Sequence, residues 1–368
     1  MSQVKKIIYA VSVLAGTIIG VGMFALPYAA LKAGFWVVIG YFLILGSLTI
    51  LIHYIFGELS LITADMKRLP GFARIYFGRW GERIALVSGV LGLLGALLAY
   101  AIVGGEFLLE LLSPYFGGNY IIYTITYLAV ASIIILFGIK TIAKVEFWGL
   151  ILFILASIAI FFMGRPYLQI ANLSQPSDAS QLFLPYGIVL FSLWGAAIIP
   201  EVEEMLGNNK KLIRVVIPVS IIIAIVVYIF FTYLILGITG NQTTESGLGG
   251  LKNILGGRIV NFMLALGILT TFTSFVTVGL TLEKIFWYDL KIRKVIAWAI
   301  TCFVPLGLFL IGIKSFIPVI SLAGAIMLGI DGILILLMYT KATKKKSVLL
   351  LATVLLIGII CEIFYFFR

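Results

Sequence analysis

The strongest constraint on this chain is a series of nearly uninterrupted apolar runs, among them residues 217–235 and 347–367. Each run matches the ~20 residues that a helix needs to cross the hydrocarbon core of a bilayer. Strands of a transmembrane barrel alternate apolar and polar residues, so these runs predict helices and not strands. Because 62% of the 368 residues are apolar and only 11% are charged, a water-soluble enzyme is excluded.

The apolar runs and the helix breakers between them predict an all-α polytopic membrane protein in one domain, residues 1–368. At roughly 20 residues a span, the apolar sequence is sufficient for eleven transmembrane helices. We expect spans at residues 7–31, 35–63, 83–112, 120–138, 145–163, 183–206, 212–238, 258–285, 295–313, 316–339 and 348–367.

The basic residues predict an orientation in the membrane. Of the 26 lysines and arginines, 20 fall in segments on the side of the N-terminus and six on the opposite side. By the positive-inside rule, this predicts a multi-pass protein of the plasma membrane with a cytoplasmic N-terminus and an outer C-terminus. The net charge of +11 therefore reflects topology and predicts no nucleic-acid binding. Cys302 and Cys361 lie inside apolar runs and indicate neither a disulfide nor a metal site.

The first span contains a cluster of helix-weakening residues. Gly16, Gly20 and Gly22 are followed by Pro27, which cannot donate a hydrogen bond to the carbonyl of Met23. We expect the helix to be unwound there. Non-helical backbone at this depth is tolerated where it lines a cavity, which favours a binding site. Close helix packing through small residues is the alternative.

The sixth span repeats this pattern in the opposite orientation. Gly195 precedes Pro200 by five residues, as Gly22 precedes Pro27. Corresponding breaks in oppositely oriented spans are typical of a 5+5 inverted repeat with broken helices 1 and 6. We therefore expect a first repeat at about 7–163, a second at about 183–340, and an extra helix 11 at about 348–367.

Helix ends at such breaks suit a zwitterion. The half-helix that starts near residues 21–23 would present free N–H groups and its positive dipole end to a carboxylate. Open carbonyls near residues 191–194 would accept an ammonium group or Na⁺. Beside them, the ring of Tyr100 and the missing side chains of Gly104 and Gly195 leave room for a bulky apolar or aromatic group.

Buried acids offer a route for proton coupling. Glu106 on the third span and Asp331 on the tenth lie deep in apolar sequence, where a carboxyl group is a functional candidate by default. A neutral or hydrogen-bonded structural acid is the alternative at both places. The chain's only histidine, His53, is either a proton shuttle or a packing residue.

Two stretches resemble a known transporter family. Residues 16–27, GTIIGVGMFALP, resemble the first-helix motif of the hydroxy and aromatic amino acid permeases, within the amino acid/polyamine/organocation superfamily. Residues 273–275, followed by Gly279 and Leu280, look like that family's eighth helix. The resemblance implies a five-plus-five inverted-repeat fold and amino acid uptake by symport. Many superfamily members carry a glutamate where this chain has Ala197, which puts a gating role at that position in doubt.

The residue pattern and the resemblance together give a set of candidate site residues. The candidate substrate contacts are Thr17, Gly20, Val21, Gly22, Met23, Tyr100, Gly104, Phe191, Ser192, Trp194 and Gly195. The resemblance further implies a possible Na⁺ site at Ile19, Gly22, Thr273 and Ser274. Threonine and serine hydroxyls in membrane helices also bond to their own helix, and this second interpretation of Thr273 and Ser274 stays open.

The predicted function is a secondary active transporter that imports amino acids by cation symport and alternating access. Its substrates would be neutral amino acids with apolar or aromatic side chains. The alternative is a non-transporting receptor of the same fold, similar to germinant-receptor membrane subunits. No catalytic group and no cofactor other than a coupling Na⁺ or H⁺ is expected, and the protein should be a monomer or weak dimer in the bilayer. Two long outer loops, residues 164–182 and 239–257, are either a lid or flexible linkers.

Overall fold

The structure is a computed structural model that describes residues 3–63, 68–137, 142–174 and 178–367. Every regular element within those residues is helical. The expected end of the fourth span at residue 138 lies outside them. The first half of the described chain contains α1 (Gln3–Ile18), α2 (Gly22–Ala33), α3 (Phe35–Ile62), α4 (Leu69–Phe116), α5 (Tyr120–Phe137) and α6 (Ile142–Gly164).

The second half of the chain contains the remaining helices. They are α7 (Pro185–Leu193), α8 (Ile199–Leu206), α9 (Ile213–Thr239), α10 (Lys252–Leu255), α11 (Gly257–Lys284), α12 (Lys294–Leu310), α13 (Phe316–Leu322), α14 (Gly329–Thr343) and α15 (Leu349–Phe366). A short π-helix, Ala323–Leu328, joins α13 to α14. Together these three elements form one membrane span, the tenth.

The helices account for eleven membrane spans. Seven continuous stretches of the described chain are long and apolar enough to cross a bilayer, and one of them, Ala179–Gln242, contains spans six and seven. The bent pair α1 and α2 adds the first span, and two shorter apolar helices supply spans five and nine. The expectation of an all-α protein with eleven spans, broken in the first and sixth, is confirmed.

The first span breaks at its glycines and not at its proline. The axes of α1 and α2 differ by 55° across residues 19–21, whereas Pro27 lies inside α2. Close contacts at Gly20 and Gly22 determine where the helix breaks. A Cβ added at Gly20 would overlap the Tyr100 hydroxyl, and one added at Gly22 would overlap the Ser192 side chain. Only residues without side chains let the backbone approach these neighbours so closely.

The third span starts earlier than its sequence indicates. We expect the third span at residues 83–112, but α4 begins at Leu69 and continues to Phe116. Gly78, with φ of 66° and ψ of −154°, interrupts the helix and separates its amphipathic start from the spanning part. Glycine adopts this left-handed conformation at little steric penalty, so the change of direction occurs there.

Candidate substrate-binding site

The first break leaves two free backbone donors. The N–H groups of Gly20 and Met23 donate within local turns, to the carbonyls of Ile18 (2.8 Å) and Gly20 (3.3 Å). Among the described backbone hydrogen bonds, none starts from the N–H groups of Val21 or Gly22, which open α2. These two amides and the positive end of the α2 dipole therefore suit a carboxylate.

The second break separates α7 from α8. Trp194 and Gly195 are non-helical, and a single 3₁₀ turn, Ala196–Ile198, leads into α8. The N–H of Trp194 donates to the carbonyl of Phe191 at 3.3 Å. Carbonyl oxygens that α7 no longer pairs can accept hydrogen bonds from an ammonium group, since each oxygen has two lone pairs.

Both breaks line one cavity of about 160 Å³. Nine of the eleven candidate substrate contacts line it: Thr17, Gly20, Val21, Gly22, Tyr100, Phe191, Ser192, Trp194 and Gly195. Met23 and Gly104 are not among its described lining residues. Met23 is buried in the core, and a Cβ at Gly104 would overlap the ring of Tyr127. Gly104 thus permits the packing of α4 on α5, while Met23 contributes to the bundle interior.

The cavity wall is mainly apolar and aromatic. Leu93, Val90 and Val278 form part of it, together with the rings of Phe191 and Trp194, which are only partly buried. Pockets that bind organic ligands are typically lined in this way, with a few polar groups that fix the ligand's orientation. The free amides of the first break and the carbonyls of the second are those polar groups here.

The two candidate proton-coupling acids lie in different surroundings. Asp331 lines the cavity and accepts a hydrogen bond from the Ser88 hydroxyl of α4. Glu106 does not line it and instead accepts a hydrogen bond of 2.8 Å from the hydroxyl of Ser246, in the loop that follows α9. Of the two carboxyl groups, only that of Asp331 faces the space between the broken helices.

One of the two candidate Na⁺ ligands on α11 makes a bond within its own helix. The Thr273 hydroxyl donates to the Thr270 carbonyl at 3.1 Å, as membrane threonines often do. Thr273 and Ser274 are both buried. Because the Thr273 oxygen keeps lone pairs when its proton is donated, this bond leaves cation binding possible.

Two contacts that the sequence did not indicate hold the breaks. His53 on α3 accepts a hydrogen bond from the N–H of Gly195 at 2.8 Å, and its ring packs edge-on against Trp194 with centroids 4.9 Å apart. Tyr228 on α9 directs its hydroxyl at the carbonyls of Ile18 (2.6 Å) and Ser192 (2.8 Å). Nothing in the local sequence around either residue predicts a partner so distant along the chain.

The cavity opens toward the membrane face at which α1 begins, here called the N-terminal face. Its lining continues through Arg68, Pro70 and Leu86 into a polar vestibule. An ion pair of 3.2 Å between Arg68 and Glu201 lies at this entrance. The remaining residues that line the vestibule are Gly71, Arg74, Glu82, Pro200, Glu204 and Asp289.

The opposite face is closed by aromatic packing. Phe24 lies 5.0 Å from Phe107 and 5.8 Å from both Phe153 and Phe231, centroid to centroid, and all four side chains are buried. The loop after α9 packs above them, and a Cβ at Gly247 would lie 2.9 Å from the Phe24 carbonyl oxygen. This loop therefore packs against the closed end of the bundle, and its role as a lid stays a prediction.

Comparison with known sequences identifies relatives of this chain. A sequence profile of the tryptophan/tyrosine permease family matches residues 3–363. The tyrosine-specific transport system 1 of Haemophilus influenzae is 26% identical over 290 residues, which cover 76% of this chain and 72% of that protein.

Comparison with solved structures shows the same fold in other transporters. Mhp1, a nucleobase-cation-symport-1 family transporter with bromovinylhydantoin bound, superposes with a TM-score of 0.69 at 12% identity, over 97% of this chain and 91% of its own. MhsT in complex with L-phenylalanine gives a TM-score of 0.66 at 13% identity, over 97% and 98%. At such low identity, these similarities establish the fold alone.

Proposed function

Since this chain belongs to the tryptophan/tyrosine permease family and is a membrane transporter and not an enzyme, we propose that it imports aromatic amino acids by cation symport. Tyrosine and tryptophan are the first substrates to test, because the family is named for both and the Haemophilus influenzae relative is a tyrosine-specific transport system. The related proteins are transporters, so the alternative of a non-transporting receptor is not favoured.

One observation carries this proposal: two broken helices present complementary groups to one aromatic-lined cavity. The free amides of Val21 and Gly22 would bind the substrate carboxylate. The carbonyls of Ser192 and Trp194 would bind its ammonium group, and the partly buried Trp194 ring would contact its aromatic side chain. Each part of an aromatic amino acid thus meets a suitable chemical partner without any buried arginine.

The polar vestibule supports an alternating-access cycle. With the Phe24 cluster packed and the vestibule open, the arrangement would correspond to one end state of the cycle, open to the N-terminal face. The excess of lysine and arginine on that face supports a cytoplasmic N-terminus in the plasma membrane, so this state would face inward. Import would then require a second state in which the aromatic cluster parts and the vestibule closes.

Two places could couple transport to a cation. A hydroxyl and carbonyl cage formed by Ile19, Gly22, Thr273 and Ser274 would suit Na⁺, because a hard cation prefers oxygen ligands. The Asp331 carboxyl group, which already faces the cavity, would suit H⁺. Glu106 is the weaker proton candidate, since it lies outside the cavity and accepts a hydrogen bond from Ser246 in the loop after α9.

Transport into proteoliposomes tests the proposal. A labelled panel of amino acids would be offered with an inward Na⁺ gradient and an inward H⁺ gradient imposed separately. We expect uptake of tyrosine or tryptophan that unlabelled aromatic amino acids inhibit and alanine does not. Absence of uptake of any aromatic amino acid under both gradients, by protein that is correctly folded, would refute the proposed function.

Matched variants then distinguish the coupling sites. If Na⁺ drives uptake, Thr273→Ala and Ser274→Ala should weaken its Na⁺ dependence while Asp331→Asn should not. If H⁺ drives uptake, Asp331→Asn should abolish accumulation but leave exchange of labelled for unlabelled substrate. Asp178→Asn, which alters an exposed acid of the outer loop, is the control for loss of a carboxylate.

A further inference from the structure

The two buried contacts at the breaks come from corresponding places in the two repeats. His53 follows Ile18, the last residue of α1, by 35 positions, and Tyr228 follows Leu193, the last residue of α7, by the same 35. His53 lies on the second span and Tyr228 on the seventh, which an inverted repeat of five spans places in equivalent positions. Each residue contacts the broken helix of the other repeat.

The hydrogen bonds of His53 define a single neutral tautomer. Its Nδ1 lies 2.9 Å from the carbonyl oxygen of Thr49, which can only accept, so Nδ1 carries the proton. Its Nε2 lies 2.8 Å from the N–H of Gly195, which can only donate, so Nε2 accepts. An imidazolium would direct an N–H at another N–H. His53 is therefore a fixed acceptor for the second break in this state and not a proton shuttle.

The Tyr228 hydroxyl lies within hydrogen-bonding distance of one backbone carbonyl at each break. This fully buried hydroxyl lies between the carbonyl of Ile18, at the end of α1, and that of Ser192, near the end of α7. Because α1 ends at Ile18 and α7 ends at Leu193, neither oxygen receives the hydrogen bond that the next turn of a continuous helix would supply. The ring is held separately, stacked on Phe42 at 6.1 Å between centroids, so the hydroxyl can be removed without removing the packing.

We propose that His53 and Tyr228 are the paired positioning residues of the transport site, each fixing the unwound backbone of the opposite repeat in its binding geometry. His53 would set the direction of the peptide between Trp194 and Gly195. Tyr228 would hold the end of α1 beside the end of α7 and so fix the position of the Ser192 carbonyl, one of the two proposed to bind the ammonium group. This inference rests on the proposed function, because it assigns how that site is kept in shape.

The proposal predicts an effect on substrate affinity. Without these side chains, the unwound segments can turn their polar groups toward other partners, and the substrate must then restore the binding geometry itself. The half-saturating substrate concentration for uptake should rise tenfold or more in Tyr228→Phe and in His53→Leu. His53→Gln should stay within threefold of the native protein, because a glutamine amide can both accept from Gly195 and donate to Thr49.

The experiment is tyrosine uptake into proteoliposomes across a range of concentrations, corrected for the amount of folded protein. Tyr233→Phe, five residues further along α9, is the control; it removes a hydroxyl from the same helix and should leave the half-saturating concentration within twofold of native. A purely structural role would reduce the amount of folded protein and leave the half-saturating concentration unchanged.

The outcomes separate this proposal from the proposed function. If the native protein transports tyrosine and Tyr228→Phe matches Tyr233→Phe, the positioning role of Tyr228 is refuted. If His53→Gln is impaired as strongly as His53→Leu, the acceptor role of His53 is refuted. Should His53→Leu fail to fold, the pair Tyr228→Phe and Tyr233→Phe still decides the first point. Failure of the native protein to transport would instead refute the function itself.

Discussion

The substitution Gly22→Ala tests whether the close approach of the two breaks is needed for transport. The new Cβ would overlap the Ser192 Oγ and lie 3.0 Å from both the Cα and the Cβ of that residue. Rotation of the serine side chain cannot relieve the contact with its Cα, so α2 and α7 must move apart by several tenths of an ångström. Overpacking of this kind destabilises a well-packed site by about 1 to 3 kcal/mol.

This strain falls on the state that binds substrate, because Gly22 and Ser192 both line the cavity. If all of it opposes binding, the substrate affinity should fall by roughly 5- to 150-fold. Gly40→Ala on α3 is the matched control, since no atom lies within 4 Å of its added Cβ. Alanine favours a helix interior by about 0.5 to 1 kcal/mol over glycine, so that variant should transport normally and be at least as stable.

Concentration-dependent uptake of labelled tyrosine into proteoliposomes measures the effect, with thermal unfolding in detergent as the measure of stability. We expect a raised half-saturating concentration for Gly22→Ala and a native value for Gly40→Ala. If Gly22→Ala transports tyrosine with native affinity, then the two broken helices do not need their observed separation, and the assignment of the site is wrong.

Two further predictions follow from specific contacts. Gly20→Ala should impair uptake less than Gly22→Ala, because its added Cβ would overlap only the Tyr100 hydroxyl. Combining it with Tyr100→Phe should restore part of the lost uptake. An additive loss in the double variant would contradict this prediction. Glu203 is 1% exposed and forms a 3.2 Å ion pair with Lys210. Lys210→Met should lower the thermal midpoint more than Glu203→Gln, because Lys210→Met leaves the buried Glu203 charge unpaired. Equal midpoints for these two variants would contradict a penalty for the unpaired charge of Glu203.

The sequence was sufficient for the fold because the relevant signals are local. Apolar runs gave the spans, and the glycines of the first and sixth spans marked both breaks. Pro27 was a poorer marker than the glycines, because α2 continues through it with one backbone hydrogen bond missing. Gly20 and Gly22 instead permit close contacts that no other residue allows. Nine of the candidate substrate contacts line the cavity, and four of them, Gly20, Val21, Trp194 and Gly195, lie in these unwound segments.

The residues that sequence reasoning missed or misplaced depend on distant neighbours. Tyr228 meets Ile18 across 210 positions, and no local pattern indicates that contact. Gly104 lies on the expected span, but it faces Tyr127 of α5 because the rotation of α4 is set by packing against several helices at once. The role of His53 could have been suspected only from its 35-residue spacing, which requires the ends of α1 and α7 to be known.

Substrate protection of a cavity thiol tests the central claim most directly. With Cys302 and Cys361 replaced by serine, Thr17→Cys would place the only thiol in the cavity, and Asn208→Cys would place one on the exposed N-terminal face. If the paired breaks form the binding site, saturating tyrosine should slow methanethiosulfonate labelling at position 17 and leave labelling at 208 unchanged. Equal labelling rates at position 17 with and without tyrosine, in a variant that still transports it, would place the substrate elsewhere.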